Sequence, residues 1–189
     1  DGFTGHTPIY GFSLGKTLAT LLTGVLAEDS LVDINMPINL PEWQVDNRKE
    51  ITPHHLLTMT SGLAWNETYE SPTSDANMLF IEDDMGQFAA NMPLQYRPGS
   101  HYSYSSGSTM ILSKTLRELL GNSLSGTYQK LHESLLRKVD INNVIVQADA
   151  SGSLVFGMQD LIGTQDLARL GQFIFQKGQW RGEQIVPAD

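Results

Sequence analysis

Apolar residues recur along most of this chain at helical rather than alternating spacing. Leu18, Leu21, Leu22, Val25 and Leu26 form one stripe behind Ser13 and predict a helix from about Ser13 to Asp29. Its two glycines, Gly15 and Gly24, each cost roughly 1 kcal/mol of intrinsic helicity, so this helix depends on tertiary packing. The same period returns at Met110, Ile111, Leu112, Leu116, Leu119 and Leu120 and predicts a second long helix from about Ser108 to Gly121. Thr52 followed by Pro53 marks the start of a short helix, because the threonine oxygen accepts an orphan N–H and proline has none to satisfy. Gly62 is expected to close that helix in a left-handed cap. Further helices are predicted from Asp83 or Asp84 to Asn91, over about 125–138 and over about 164–177.

Between these elements the chain is punctuated by turn chemistry. Residues 1–12 read as a loop or broken strand, Asp33 to Glu42 as a loop carrying Pro37 and Pro41, and Asn66 to Asn77 as a polar surface loop. Arg97-Pro98-Gly99 is a turn, and the loop from Asp149 to Gly157 has room for short strands. No internal repeat or low-complexity segment is visible. The expected architecture is therefore one mainly α-helical unit over residues 1–189 with few short strands.

Composition narrows the function classes. A chain of 189 residues with 40% hydrophobic and 17% charged positions has the make-up of an ordinary globular domain. Its formal net charge of −9 argues against nucleic acid or an anionic lipid surface as partner, since both are bound by neutralising phosphate. No apolar run approaches the roughly 20 residues needed to span a bilayer. With no cysteine there is no disulfide framework, thiolate nucleophile or cysteine-bound zinc. The compartment stays open.

Two clusters carry candidate chemistry. Ser13 and Lys16 stand three positions apart at a predicted helix start, a spacing that puts a hydroxyl and an amine on one face. A helix N-terminus also presents unpaired N–H groups and partial positive charge, which stabilise an oxyanion and favour a neutral amine. The spacing by itself is weak: with serine at about 7% and lysine at about 6% of residues, a Ser-x-x-Lys tetrad occurs about once by chance in a chain of this length. Taken alone, Ser13 is a helix cap and Lys16 a solvated charge. The second cluster is Tyr104-Ser105-Ser106-Gly107, on the loop entering the second long helix. A tyrosine there can relay a proton beside a cation, or simply pack with its hydroxyl wet.

Together these residues resemble the serine beta-lactamase and penicillin-binding-protein superfamily. Four segments carry the resemblance in order: Gly11-Phe12-Ser13-Leu14-Gly15-Lys16-Thr17, Ile51 to Leu63, Tyr102-Ser103-Tyr104-Ser105-Ser106-Gly107, and Gly178 to Pro187. The run from Ile51 to Leu63 is the most specific and is similar to the class C beta-lactamase-like branch, in particular its esterases and aminohexanoate-oligomer hydrolases. The resemblance implies an α+β beta-lactamase/transpeptidase-like fold, of which this chain would be chiefly the helical part. It implies Ser13 as nucleophile, Lys16 as base, Tyr104 as the catalytic tyrosine of the family's Tyr-x-Asn motif that assists Lys16 in proton transfer, and Ser106 as a substrate-binding residue where true beta-lactamases usually carry asparagine. His54 and His55 fall on a motif helix and are expected to be structural.

The resemblance further implies a serine hydrolase acting through an acyl-enzyme on a small ester or amide, without metal or organic cofactor. The family also carries two or more strands of an antiparallel sheet before its serine, and a later strand with Lys-Thr-Gly or a His-x-Gly-like variant. Neither lies within these 189 residues, which leads to the expectation that the chain acts with the remainder of a longer parent polypeptide. A non-catalytic penicillin-recognising sensor or ligand-binding module is the alternative of a different class.

Overall fold

The computed structural model describes residues 2–188. Pro8–Phe12 forms strand β1, followed after a two-residue turn by helix α1, Gly15–Glu28. The short helices α2 (Pro53–Leu57), α3 (Asp75–Met78) and α4 (Met85–Ala90) lead to the second long helix, α5, Ser106–Leu119. Helix α6, Leu124–Leu131, continues into a π-helical turn at His132–Leu136. Strands β2 (Val144–Ile145) and β3 (Asp160–Gly163), helix α7 (Thr164–Phe175) and a hairpin of β4 (Gln179–Trp180) and β5 (Glu183–Gln184) complete the order.

Three of the strands make one antiparallel sheet in the order β1-β3-β2, with Ile9 opposite Ile162 and Phe12 opposite Asp160. The register between β1 and β3 shifts between Tyr10 and Phe12, and Phe12 itself has φ of +49°. A bulge followed by a left-handed non-glycine residue bends the chain sharply and delivers Ser13 to the mouth of α1.

The apolar stripes read from the sequence are the core. Leu18, Leu22 and Leu26 of α1 pack with Ile111, Leu112 and Leu116 of α5, closed over by Trp43, Leu135, Phe156 and Phe173, all at most 2% exposed. Helix α5 is buried on nearly every side, its first turn, Ser106 to Thr109, included.

Several boundaries differ from the sequence expectation. Ser13 lies in the turn ahead of α1 rather than inside the helix, because the bulged end of β1 runs directly into it. Thr52 caps α2 as expected, accepting from the His55 N–H at 3.2 Å, but Gly62 does not close that helix. Thr58 ends it and Met59 takes the left-handed turn, while Gly62, at φ +79°, lies just before the bridge between Leu63 and Leu94, where its bare backbone rests against the Tyr96 carbonyl. The second long helix starts at Ser106, capped by the Ser105 hydroxyl at 2.9 Å from the Ser108 N–H. Over 149–157 only a bridge between Ala148 and Leu154 forms, and the central strand β3 lies just beyond.

Candidate active site

The turn after β1, the first turn of α1, the first residue of α5 and the segment ahead of β3 meet at one point. Lys16 reaches into it with its amine 3.1 Å from Ser13 Oγ, 3.1 Å from Ser106 Oγ and 2.6 Å from the Gly157 carbonyl oxygen. Ser13 and Lys16 thus meet as their spacing predicts, although the serine precedes the helix: the Lys16 N–H still donates to the Ser13 carbonyl at 3.2 Å. The face of the Tyr104 ring covers the same amine, 5.0 Å from ring centroid to Nζ. That contact is a cation–π arrangement. Among the described residues no hydrogen bond joins the Tyr104 hydroxyl to Lys16 or Ser13.

Ser106 is fully buried and does not line the pocket at Ser13. Its hydroxyl sits between Lys16 and Glu67, donating to Glu67 Oε1 at 2.5 Å. Glu67 receives three more donors: the Ser106 N–H at 2.8 Å and Trp65 Nε1 at 2.5 Å on Oε2, and the Tyr69 hydroxyl at 2.8 Å on Oε1. Burial, and then the bond to Glu67, push the Tyr69 phenol up to about 12. Sequence reasoning missed Glu67, which lies in the polar stretch between Asn66 and Asn77; no spacing rule ties it to α5, and folding alone brings it there.

Gly107 explains how Trp65 can hold Glu67 so close. A Cβ at position 107 would lie 2.5 Å from the Trp65 ring, so glycine lets the indole rest on the backbone of α5. His54 and His55 are elsewhere. His55 Nδ1 accepts from the Thr52 N–H at 3.2 Å to complete a capping box, and burial, with the neighbouring His54, lowers its pKa.

A second acid stands behind α1. Asp160, 1% exposed, lies against Gly15, and neither of its carboxyl oxygens has a hydrogen-bond partner. Desolvation pushes its carboxyl up to about 7, against the opposing attraction of Lys16.

Beside Ser13 opens a pocket of about 400 Å³ lined by Tyr10, Phe12, Tyr69, Phe80, Met158 and Gln159. Its walls are mainly aromatic and apolar, with Gln159 a polar exception, and among the described residues no charged side chain lines it. Among the described residues no group of three or more His, Asp or Glu side chains could hold a metal ion, and no helix is long and apolar enough to cross a membrane. A hydroxyl held against an amine, at the rim of an apolar pocket, can perform nucleophilic attack on a carbonyl.

The fold is that of the beta-lactamases and transpeptidases, mostly helical with few short strands. The beta-lactamase family model matches residues 2–152, and the chain belongs to that family. Among solved structures, a protein described as a 6-aminohexanoate-dimer hydrolase from Bacillus anthracis superposes with a TM-score of 0.83 at 20% identity, over 100% of this chain and 53% of its own. A protein described as a beta-lactamase from Bacteroides dorei gives 0.76 at 18%, over 99% and 56%. The D-amino acid amidase of Ochrobactrum anthropi gives 0.68 at 15%, over 98% and 60%. The chain therefore spans little more than half the length of these proteins. No curated protein sequence matches it.

Proposed function

We propose that this chain carries the nucleophile of a serine hydrolase that cleaves an ester or amide through an acyl-enzyme. The observation behind this reading is the amine of Lys16 at 3.1 Å from Ser13 Oγ, beside a pocket large enough for an acyl or leaving group. Neutral Lys16 takes the Ser13 proton as Oγ attacks the carbonyl carbon, and the Ser13 N–H is one donor to the oxyanion. The leaving group departs with a proton returned by Lys16. Water then attacks the acyl carbon and loses a proton to Lys16, which returns it to Ser13 Oγ as the acyl C–Oγ bond breaks, so that the acid leaves and both Ser13 and neutral Lys16 are restored. Tyr104 packs over the amine, where its ring stabilises the protonated lysine formed in each half-reaction. The apolar lining suits a neutral, aliphatic or aromatic substituent on the substrate. Membership of the beta-lactamase family and a fold shared with proteins described as hydrolases and an amidase support the same reading.

The test is hydrolysis of p-nitrophenyl esters by the complete polypeptide that carries this chain. Ser13→Ala is expected to lower turnover by at least about a thousandfold. Retention of more than about a tenth of the activity would remove Ser13 from the mechanism. A stable adduct with a beta-lactam or fluorophosphonate on a protein that turns over no ester would favour the sensor reading.

A further inference from the structure

Lys16 has more neighbours than its role as a base explains. A neutral amine has two N–H bonds and one lone pair, and only the lone pair can take the serine proton. Which neighbour the lone pair faces is therefore decisive. The Gly157 carbonyl, 2.6 Å away, can only accept, so it takes one N–H. Ser106 Oγ, 3.1 Å away, is ambiguous in isolation: a hydroxyl can accept the second N–H, or turn its own proton onto the amine and occupy the lone pair.

Glu67 resolves that ambiguity. Its Oε1 stands 2.5 Å from Ser106 Oγ, and its Oε2 is held by two groups that can only donate, Trp65 Nε1–H and the Ser106 N–H. A carboxylate fixed in this way offers the hydroxyl nothing but lone pairs, so the Ser106 proton points to Glu67 and its oxygen accepts from Lys16. Both N–H bonds of the neutral amine are then committed, and the one remaining direction faces Ser13 Oγ at 3.1 Å.

From this geometry we infer that Glu67 is a positioning residue for the proposed reaction: through Ser106 it sets the hydrogen-bond sense around Lys16, so that the lone pair of the amine faces Ser13. No proton passes to Glu67, whose charge is unchanged throughout. The inference rests on the serine hydrolase reading and adds to it an acid that acts on the base through Ser106.

The experiment measures phosphonylation of Ser13 by a fluorophosphonate, in which the Oγ–P bond forms, the P–F bond breaks, fluoride leaves and the Ser13 proton passes to Lys16. Rates are followed by intact mass on the complete polypeptide, for the wild type, Glu67→Gln, Ser106→Ala and the double variant. In Glu67→Gln the amide can donate to Ser106 and turn its proton onto Lys16. The maximal modification rate is expected to fall at least about thirtyfold with the probe's half-saturating concentration little changed. Once Ser106→Ala has removed the ambiguous hydroxyl, the same change at Glu67 is expected to cost less than about threefold. A Glu67→Gln effect below about threefold, or one of equal size in both backgrounds, overturns the inference and leaves the hydrolase reading intact. Failure of the wild type to be modified at Ser13 overturns both. If Glu67→Gln does not fold, the cycle is repeated with Glu67→Asp, whose shorter carboxylate withdraws from Ser106, and the same criteria apply.

Discussion

The carboxylate of Asp160 occupies the space that a Cβ on Gly15 would need, with the Phe156 carbonyl at the same spot. Helix propensity favours alanine over glycine inside α1 by roughly 1 kcal/mol. The packing reverses that sign. Gly15→Ala is expected to destabilise the protein by about 1–3 kcal/mol, because the side chain must displace a buried carboxyl and a backbone carbonyl together. Thermal or denaturant unfolding checks it; a gain in stability would show that β3 yields freely.

Asp160 also makes stability depend on pH. Its folded carboxyl titrates at about 7 against an ordinary value of 3.8, so between about pH 4 and 7 the folded state holds a proton that the unfolded chain has released. Stability from this group therefore falls as pH rises through that window. Asp160→Asn is expected to be more stable than the wild type at pH 8, by up to roughly 4 kcal/mol, with the difference gone near pH 4. Melting temperatures of both proteins across that range decide the matter, and equal curves would count against a desolvated carboxyl.

Lys16→Arg replaces the neutral base with a permanently charged group, since a guanidinium does not deprotonate in a protein. Ester turnover and Ser13 phosphonylation are expected to fall by at least about a thousandfold. A far-ultraviolet circular dichroism spectrum and melting temperature close to the wild type would show that the loss is chemical. Activity within about tenfold of wild type would place the base elsewhere.

Phe80 lines the pocket beside Ser13 while remaining partly exposed. Phe80→Ala is expected to lower kcat/KM for p-nitrophenyl esters with aromatic or six-carbon acyl groups by about tenfold, the worth of one modest apolar contact, with little effect on the acetate. An equal change for acetate and long acyl esters would mean that the pocket does not hold the acyl group.

The long helices were legible because their apolar stripes pack the same way in any surroundings: Leu18, Leu22 and Leu26 face Ile111, Leu112 and Leu116. Boundaries were less so. Ser13 reads as helical from spacing alone, yet the bulge at Tyr10–Phe12 holds it in a turn, and that bulge depends on pairing with β3 some 150 residues away in the chain. Strand β3 was passed over because Asp160-Leu161-Ile162-Gly163 is too short for a period and opens on an acid.

The sequence by itself pointed to the pair proposed to do the chemistry, since Ser13 and Lys16 stand three positions apart at a helix start, although the turn that holds the serine there rests on the pairing of β1 with β3. It also determined the cap of Thr52 and the two core helices, whose signals are local. Only the tertiary structure decided what surrounds the amine. Gly157, Ser106 and Glu67 come from three distant segments, and a hydrogen bond between residues 39 positions apart, like that of Ser106 and Glu67, leaves no periodicity to read. Tyr104 lay between the two: the sequence chose the residue, but packing turned its ring rather than its hydroxyl toward Lys16.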